Sequence, residues 1–296
     1  MMSMSDYIVA NLRFRVVGPA SELFVTHLPG FKPFTVEADA CVECDMVVES
    51  GCELSIDGVE CKELTRFEFS ESEAECVFLR SEEHYILTIT NAEQQHIFTS
   101  RRDDSGCVRT NAGGANMNPS FVRFGVWFML NIVAVQHSVA AVHSSVIVCH
   151  NEAVMFLGES GTGKSTHTRL WREHIEGARL LNDDSPIIRI KDGELRIYGS
   201  PWSGKTPCYK NESYPIAGFC RLEQAPYNKI SRLPAIVAIG ALLPSCPPIF
   251  AHDEYLQDCI CATIGEAIRR VPTFRLECLP DKAAAELSYT TILQNT

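Results

Sequence analysis

Between an apolar segment, Val154 to Leu157, and a helix-forming stretch, Ser165 to His174, lies Gly158-Glu159-Ser160-Gly161-Thr162-Gly163-Lys164-Ser165. The octapeptide fits G-x-x-x-x-G-K-[ST] at every fixed position and has the flanks that this motif requires, a strand before it and a helix after it. Glycine lets the backbone wrap so that successive N–H groups face inward, and the helix N-terminus adds a favourable dipole for an anion. The candidate phosphate-binding residues are therefore Gly158, Ser160, Gly161, Thr162, Gly163, Lys164 and Ser165. In such a loop Lys164 reaches the β and γ phosphates, and Ser165 offers its hydroxyl to Mg²⁺.

A magnesium triphosphate also needs a carboxylate near that hydroxyl. Leu180-Leu181-Asn182-Asp183-Asp184 supplies two at the end of a short apolar strand, after one helix and a turn. One of them can bind metal, directly or through water, and the other can take a proton from an incoming hydroxyl. Ser165 and one member of the Asp183-Asp184 pair are the candidate metal ligands. Further on, Ile187–Ile190 and Leu195–Tyr198 flank Lys191-Asp192-Gly193-Glu194 as a hairpin. The turn-rich Gly199–Pro207 segment follows, and its Lys205 can neutralise a transferred phosphoryl group or remain a solvated surface lysine. His143, at the start of the strand that precedes the loop strand, can orient the acidic pair or the nucleophile, or serve as an ordinary core histidine. His167 and the Arg101-Arg102 pair are weaker candidates.

The remainder of the chain sets the frame. Its 296 residues are enough for two domains, and 46% hydrophobic with 21% charged residues is a globular balance. Lys plus Arg is 26 against 37 Asp plus Glu, a net charge of −11 without a basic run, which argues against nucleic acid and anionic membrane as partners. The apolar run Phe124–Val142 is interrupted by Asn131, Gln136 and His137 and is expected to be a buried helix capped by Ser120 rather than a membrane span. Met1–Val16 carries no secretory signal, so thirteen cysteines read as thiols in a reducing cytoplasm. Cys41 and Cys44 with Cys52 and Cys61 form an incomplete zinc pattern and read instead as strand cysteines facing a core.

The first hundred residues read as short strands: Met46–Glu49, Glu53–Ile56, Arg66–Phe69 and Cys76–Thr90, with Asp57-Gly58 as a hairpin signal. The loop-like composition of Arg101–Pro119 places the boundary between a β-rich domain, 1–108, and an α/β domain, 109–296. The expected fold class is α/β with a mixed sheet.

The order His143-Ser144-Ser145-Val146-Ile147, then GESGTGKST, then LLNDD resembles the catalytic domain of HPr kinase/phosphorylase and its relatives. The resemblance covers about Val142 to Tyr198, extends loosely to Arg270–Leu276, and does not reach the first hundred residues. It implies a phosphoenolpyruvate-carboxykinase-like nucleotide-binding fold with ATP and Mg²⁺ as cofactors. It also implies nucleotide phosphates on Gly161, Gly163, Lys164, Ser165 and Thr166, with Asp184 as the base, Asp183 as the metal-side carboxylate and His143 as an assisting residue. Thr166 stands where that family has an acidic residue, and Gly199–Thr206 replaces its downstream signature. The acceptor is therefore open: a hydroxyl of a protein, a peptide or a small molecule. Two other readings are a nucleotide-binding regulator without catalysis and a carboxykinase-like lyase. A guanine-specific switch is disfavoured because Asn228-Lys229 is not followed by Asp two places on. A homo-oligomer is compatible with the sequence.

Overall fold

The structure, a computed structural model, describes residues 3–69, 73–103, 106–114, 117–204 and 206–294. It is mixed α/β with two mixed sheets and divides into two compact units, residues 1–136 with 251–256, and 137–250 with 257–296.

The first unit holds strands β1 (Met4–Val9), β2 (Leu12–Val17), β3 (Thr35–Val36), β4 (Met46–Ser50), β5 (Lys62–Phe69), β6 (Ala74–Arg80), β7 (His84–Thr90), β8 (Gln95–Arg101) and β9 (Cys107–Thr110), in the order β3-β1-β2-β4-β9-β8-β7-β6-β5. Helices α1 (Ala20–His27) and α2 (Pro119–Val135) pack on it. Phe128 of α2 meets Phe78 edge-on at 4.9 Å between ring centroids. Tyr7, Phe14, Phe24 and Phe31 form a second aromatic cluster.

Several expectations need correction here. Residues Glu53–Ile56 are not a strand, and Asp57-Gly58 turns without joining two strands. Cys76–Thr90 is two strands, because Ser81 folds its hydroxyl onto the His84 amide and turns the chain. The β1–β2 hairpin carries no Gly signal; Ala10 and Asn11 both take positive φ, 52° and 58°, as a two-residue turn of this hand requires. Asn118, rather than Ser120, caps α2 by accepting from the Ser120 and Phe121 amides. Cys41 and Cys44 lie in a loop, exposed and half-exposed, because the segment ahead of β4 forms no ladder. Among the described residues no helix is long and apolar enough to cross a membrane, and no group of three His, Cys, Asp or Glu side chains could hold a metal.

The second unit is built on β10 (Val139–Ala141), β11 (Ser144–Cys149), β12 (Glu152–Leu157), β13 (Arg179–Asp184), β14 (Ile187–Lys191), β15 (Glu194–Tyr198), β16 (Ser213–Gln224), β17 (Lys229–Arg232) and β18 (Thr273–Cys278). Its helices are α3 (Lys164–His174), α4 (Ala235–Leu242), the latter part of α5 (Glu254–Arg270) and α6 (Lys282–Leu293). The path runs β10-β14-β15-β16-β12-β11-β13, and β18 joins at β16. Three neighbours, β12, β16 and β18, are parallel; β11 is antiparallel to both β12 and β13. The expected β14–β15 hairpin is present, with Asp192 and Gly193 at its tip.

Beneath α3 the core is aromatic. Phe156, His167 and Trp171 are nearly sealed from solvent and packed edge-on. Ser288 of α6 accepts from Trp171 Nε1 at 2.9 Å and pairs with His167 Nε2 at 3.0 Å. Burial pulls the His167 pKa down to about 4, so the ring is neutral in the fold through the range in which an unfolded chain takes up a proton. Stability should therefore fall as pH drops from about 6.5 towards 4, by up to about 3 kcal/mol, and this contribution should level off below that. Replacing His167→Phe should flatten the pH dependence of the melting temperature over that window; an unchanged slope would show that His167 takes no part in it.

Candidate functional site

Register brings the separated sequence candidates together. Strand β11 lies between β12 and β13, with Ser144 opposite both Leu157 and Asp184, and Ser145 opposite both Phe156 and Asp183. The end of β12, from which the glycine-rich loop departs, therefore shares an edge with the acidic end of β13. His143 sits one residue before β11 at that edge. A bulge at Leu181, unpaired between Leu180 and Asn182, interrupts the β11–β13 ladder and sets which way the last three residues point.

Loop geometry follows from its glycines. Gly163 has φ 100° and forms the left-handed cap of α3. At Gly158, φ is 148°, and an added Cβ would stand 2.5 Å from Thr162 Oγ1. The Thr162 hydroxyl donates instead to the Glu159 carbonyl at 2.8 Å. Ser160 and Gly161 are exposed at the tip, while Thr166 is half-buried on the first turn of α3.

Lys164 is only 8% exposed. Its ammonium donates to the carbonyls of Gly158 at 2.8 Å and Glu159 at 3.2 Å, and meets His143 Nε2 at 3.1 Å. An ammonium has no acceptor, so Nε2 accepts and the imidazole hydrogen lies on Nδ1. That nitrogen faces Asp184 Oδ1 at 3.2 Å. Lys164, His143 and Asp184 thus form one continuous chain of polar contacts. Burial pulls the Lys164 pKa down, Asp183 and Asp184 push it back up, and Arg221 adds a smaller downward push.

Ser165 donates to Asp183, whose two oxygens lie at 3.2 and 3.1 Å. The hydroxyl and the carboxylate are hard oxygen donors, side by side, as a magnesium ion prefers. Asn182 holds the end of β13: its amide donates to the Trp202 carbonyl at 3.0 Å and its oxygen accepts from the Ser185 amide at 3.0 Å. Gly204 donates to the Asp183 carbonyl at 2.7 Å. Lys205 lies outside the described residues.

Two residues beyond the sequence candidates complete the surroundings. Arg221 stands opposite Leu157 on β16, its guanidinium 3.7 Å from the Glu159 carboxylate and bonded to the Ala241 carbonyl at 3.3 Å. Gln224 donates to the Gly161 carbonyl at 3.2 Å. Neither belongs to a motif; the parallel pairing of β16 with β12 brings them here.

Comparison with protein families and with curated proteins finds no match. Among solved structures, the chain has a similarity to the Hpr(Ser) kinase/phosphatase from Coxiella burnetii. The similarity spans 52% of this chain and 88% of that one at 12% identity, with a TM-score of 0.31.

Asp184 itself has φ 127°, a conformation that favours glycine. Holding a residue with a Cβ there costs on the order of 1–3 kcal/mol. Asp184→Gly should consequently be more stable than Asp184→Ala by about 1 kcal/mol, although both lack the carboxylate. Urea denaturation of the two variants checks this, and an equal or lower midpoint for the glycine variant would remove the strain argument.

Proposed function

We propose that this chain is an ATP- and Mg²⁺-dependent phosphotransferase that moves the γ-phosphoryl group to a hydroxyl acceptor on a protein, peptide or small molecule. The observation that carries the reading is one shared edge holding a glycine loop, a buried lysine, a serine–aspartate pair and a second aspartate tethered through histidine. The motif order that resembles HPr kinase/phosphorylase supports it as well.

In this reading the amides of Gly161–Thr166 surround the phosphates, and the Lys164 ammonium exchanges loop carbonyls for phosphate oxygens, which are stronger acceptors. Ser165 and Asp183 would hold Mg²⁺, which supplies positive charge against the phosphates when bound. As the acceptor oxygen bonds to the γ phosphorus, Asp184 takes its proton and the bond to the β–γ bridging oxygen breaks, releasing ADP. His143 directs its Nδ1 hydrogen at Asp184 and keeps that carboxylate turned toward the acceptor. Lys205 would add charge at the transferred group.

The test is transfer from γ-labelled ATP across a panel of hydroxyl acceptors, with nucleotide binding measured separately. Asp184→Asn should lower transfer about 10²- to 10⁴-fold with ATP affinity nearly unchanged. Normal transfer by that variant would refute the base assignment. ATP binding without transfer to any acceptor class would point instead to the regulator.

A further inference from the structure

Arg221 holds a guanidinium beside the glycine loop, on a strand outside the motif. Strand β16 runs parallel to β12 and sets Arg221 opposite Leu157, the last residue before Gly158. Neighbouring strands lie about 4.8 Å apart, so Arg221 rises from the sheet next to the point where the loop departs. Its side chain is 20% exposed. A guanidinium carries five N–H donors, and among the described residues this one meets the Ala241 carbonyl at 3.3 Å and the Glu159 carboxylate at 3.7 Å. The first is a long hydrogen bond, and the second lies beyond hydrogen-bond distance. Glu159 is itself 83% exposed, so water competes for its carboxylate. A strong and partly desolvated donor is thus poorly satisfied by the chain, at the edge of a loop suited to anions.

The position of Glu159 in the loop decides which phosphate lies here. Lys164, which in such a loop reaches the β and γ phosphates, is bonded to the carbonyls of Gly158 and Glu159. The amides that open α3 lie at the other end of the loop. Arg221 therefore stands at the γ end. Burial lowers the Lys164 pKa most and Arg221 adds to the lowering, as two cations at one end of the loop require. A carboxylate at the second position of an anion-binding loop repels an arriving phosphate, and Arg221 offsets it. A phosphoryl group carries more charge than a carboxylate and accepts the guanidinium fork in two parallel bonds. The exposed Glu159 side chain is free to turn to water as one partner replaces the other.

We infer that Arg221 gives the site its preference for a triphosphate: its guanidinium leaves Glu159 and donates to the γ-phosphoryl oxygens. The inference rests on the phosphate-binding reading of the loop and on ATP as the phosphoryl donor. No bond to phosphorus forms or breaks in this exchange; N–H donors change acceptors, and the Ala241 carbonyl keeps the guanidinium facing the loop. A diphosphate lacks the group that Arg221 addresses, so ADP leaves it on Glu159. Arg221 thereby offsets charge on the group to be transferred and loses its hold once that group has gone.

The experiment is calorimetric titration of the full-length chain with ATP and with ADP, each in Mg²⁺. The wild-type chain should bind ATP more tightly than ADP. Arg221→Gln should weaken ATP at least about tenfold and leave ADP within about twofold. Retained ADP binding also shows that the variant folds. Glu159→Gln separates a phosphate contact from simple neutralisation of the loop. It should bind ATP at least as tightly as the wild type, and adding Arg221→Gln to it should still weaken ATP about tenfold. A double variant that binds ATP as well as Glu159→Gln does would show that Arg221 only neutralises Glu159, and the inference falls. Equal losses of ATP and ADP in Arg221→Gln, no loss of ATP, or a wild-type chain without preference for ATP would also overturn it while sparing the loop. A wild-type chain that binds neither nucleotide would overturn the loop reading, and the role of Arg221 with it.

Discussion

A charged amine that is almost sealed from solvent must be compensated where it lies, and the surroundings of Lys164 are arranged around that requirement. Two loop carbonyls and one imidazole nitrogen take its three hydrogens. The carbonyls face it only because the glycine backbone curls back over the start of α3, and the imidazole is there only because β11 begins at the same edge. Once the ammonium fixes Nε2 as acceptor, the remaining ring hydrogen is committed to Asp184. The same buried charge therefore orders the loop, selects the histidine tautomer and aims a carboxylate.

The local part of this site was legible in the sequence because its constraints are local. Positive φ at Gly163 and the hydroxyl of Ser165 are demands on single residues, so they leave a fixed motif. The strand–loop–helix around it and the β14–β15 hairpin with its Asp-Gly tip were legible for the same reason. The insertion of β11 between β12 and β13 was not, since sheet order depends on long-range pairing that leaves no spacing signal. Arg221 and Gln224 were missed on the same account: their position is a matter of register with β12, not of neighbours in the chain.

In the β-rich unit the misreadings have a different cause. Val, Ile and Phe enrichment locates extended chain but does not mark where it turns. Ala10-Asn11 makes a tight hairpin without glycine, whereas Asp57-Gly58, the stronger textual signal, lies between segments that never pair. Likewise the loop ahead of β4 contains cysteines read as strand residues, yet finds no partner edge, which leaves Cys41 in solvent. Tertiary pairing decides such cases over propensity.

Adjacent residues on a strand normally point to opposite faces, so a consecutive pair of aspartates ought to divide between two environments. Asp183 and Asp184 do divide, Asp183 onto the Ser165 hydroxyl and Asp184 onto His143, but both stay at one edge. Two departures from regular strand geometry make this possible. The bulge at Leu181 re-aims the ladder before the pair, and the positive φ of Asp184 turns the chain immediately after it, where Ser203 forms an isolated bridge. Strain of this sort persists only when its surroundings over-determine it, and here Asn182, Ser200 and Gly204 fasten the backbone on either side. The strand end is thus held in a shape that one carboxylate alone would not require, whereas two carboxylates with separate partners at a single edge do.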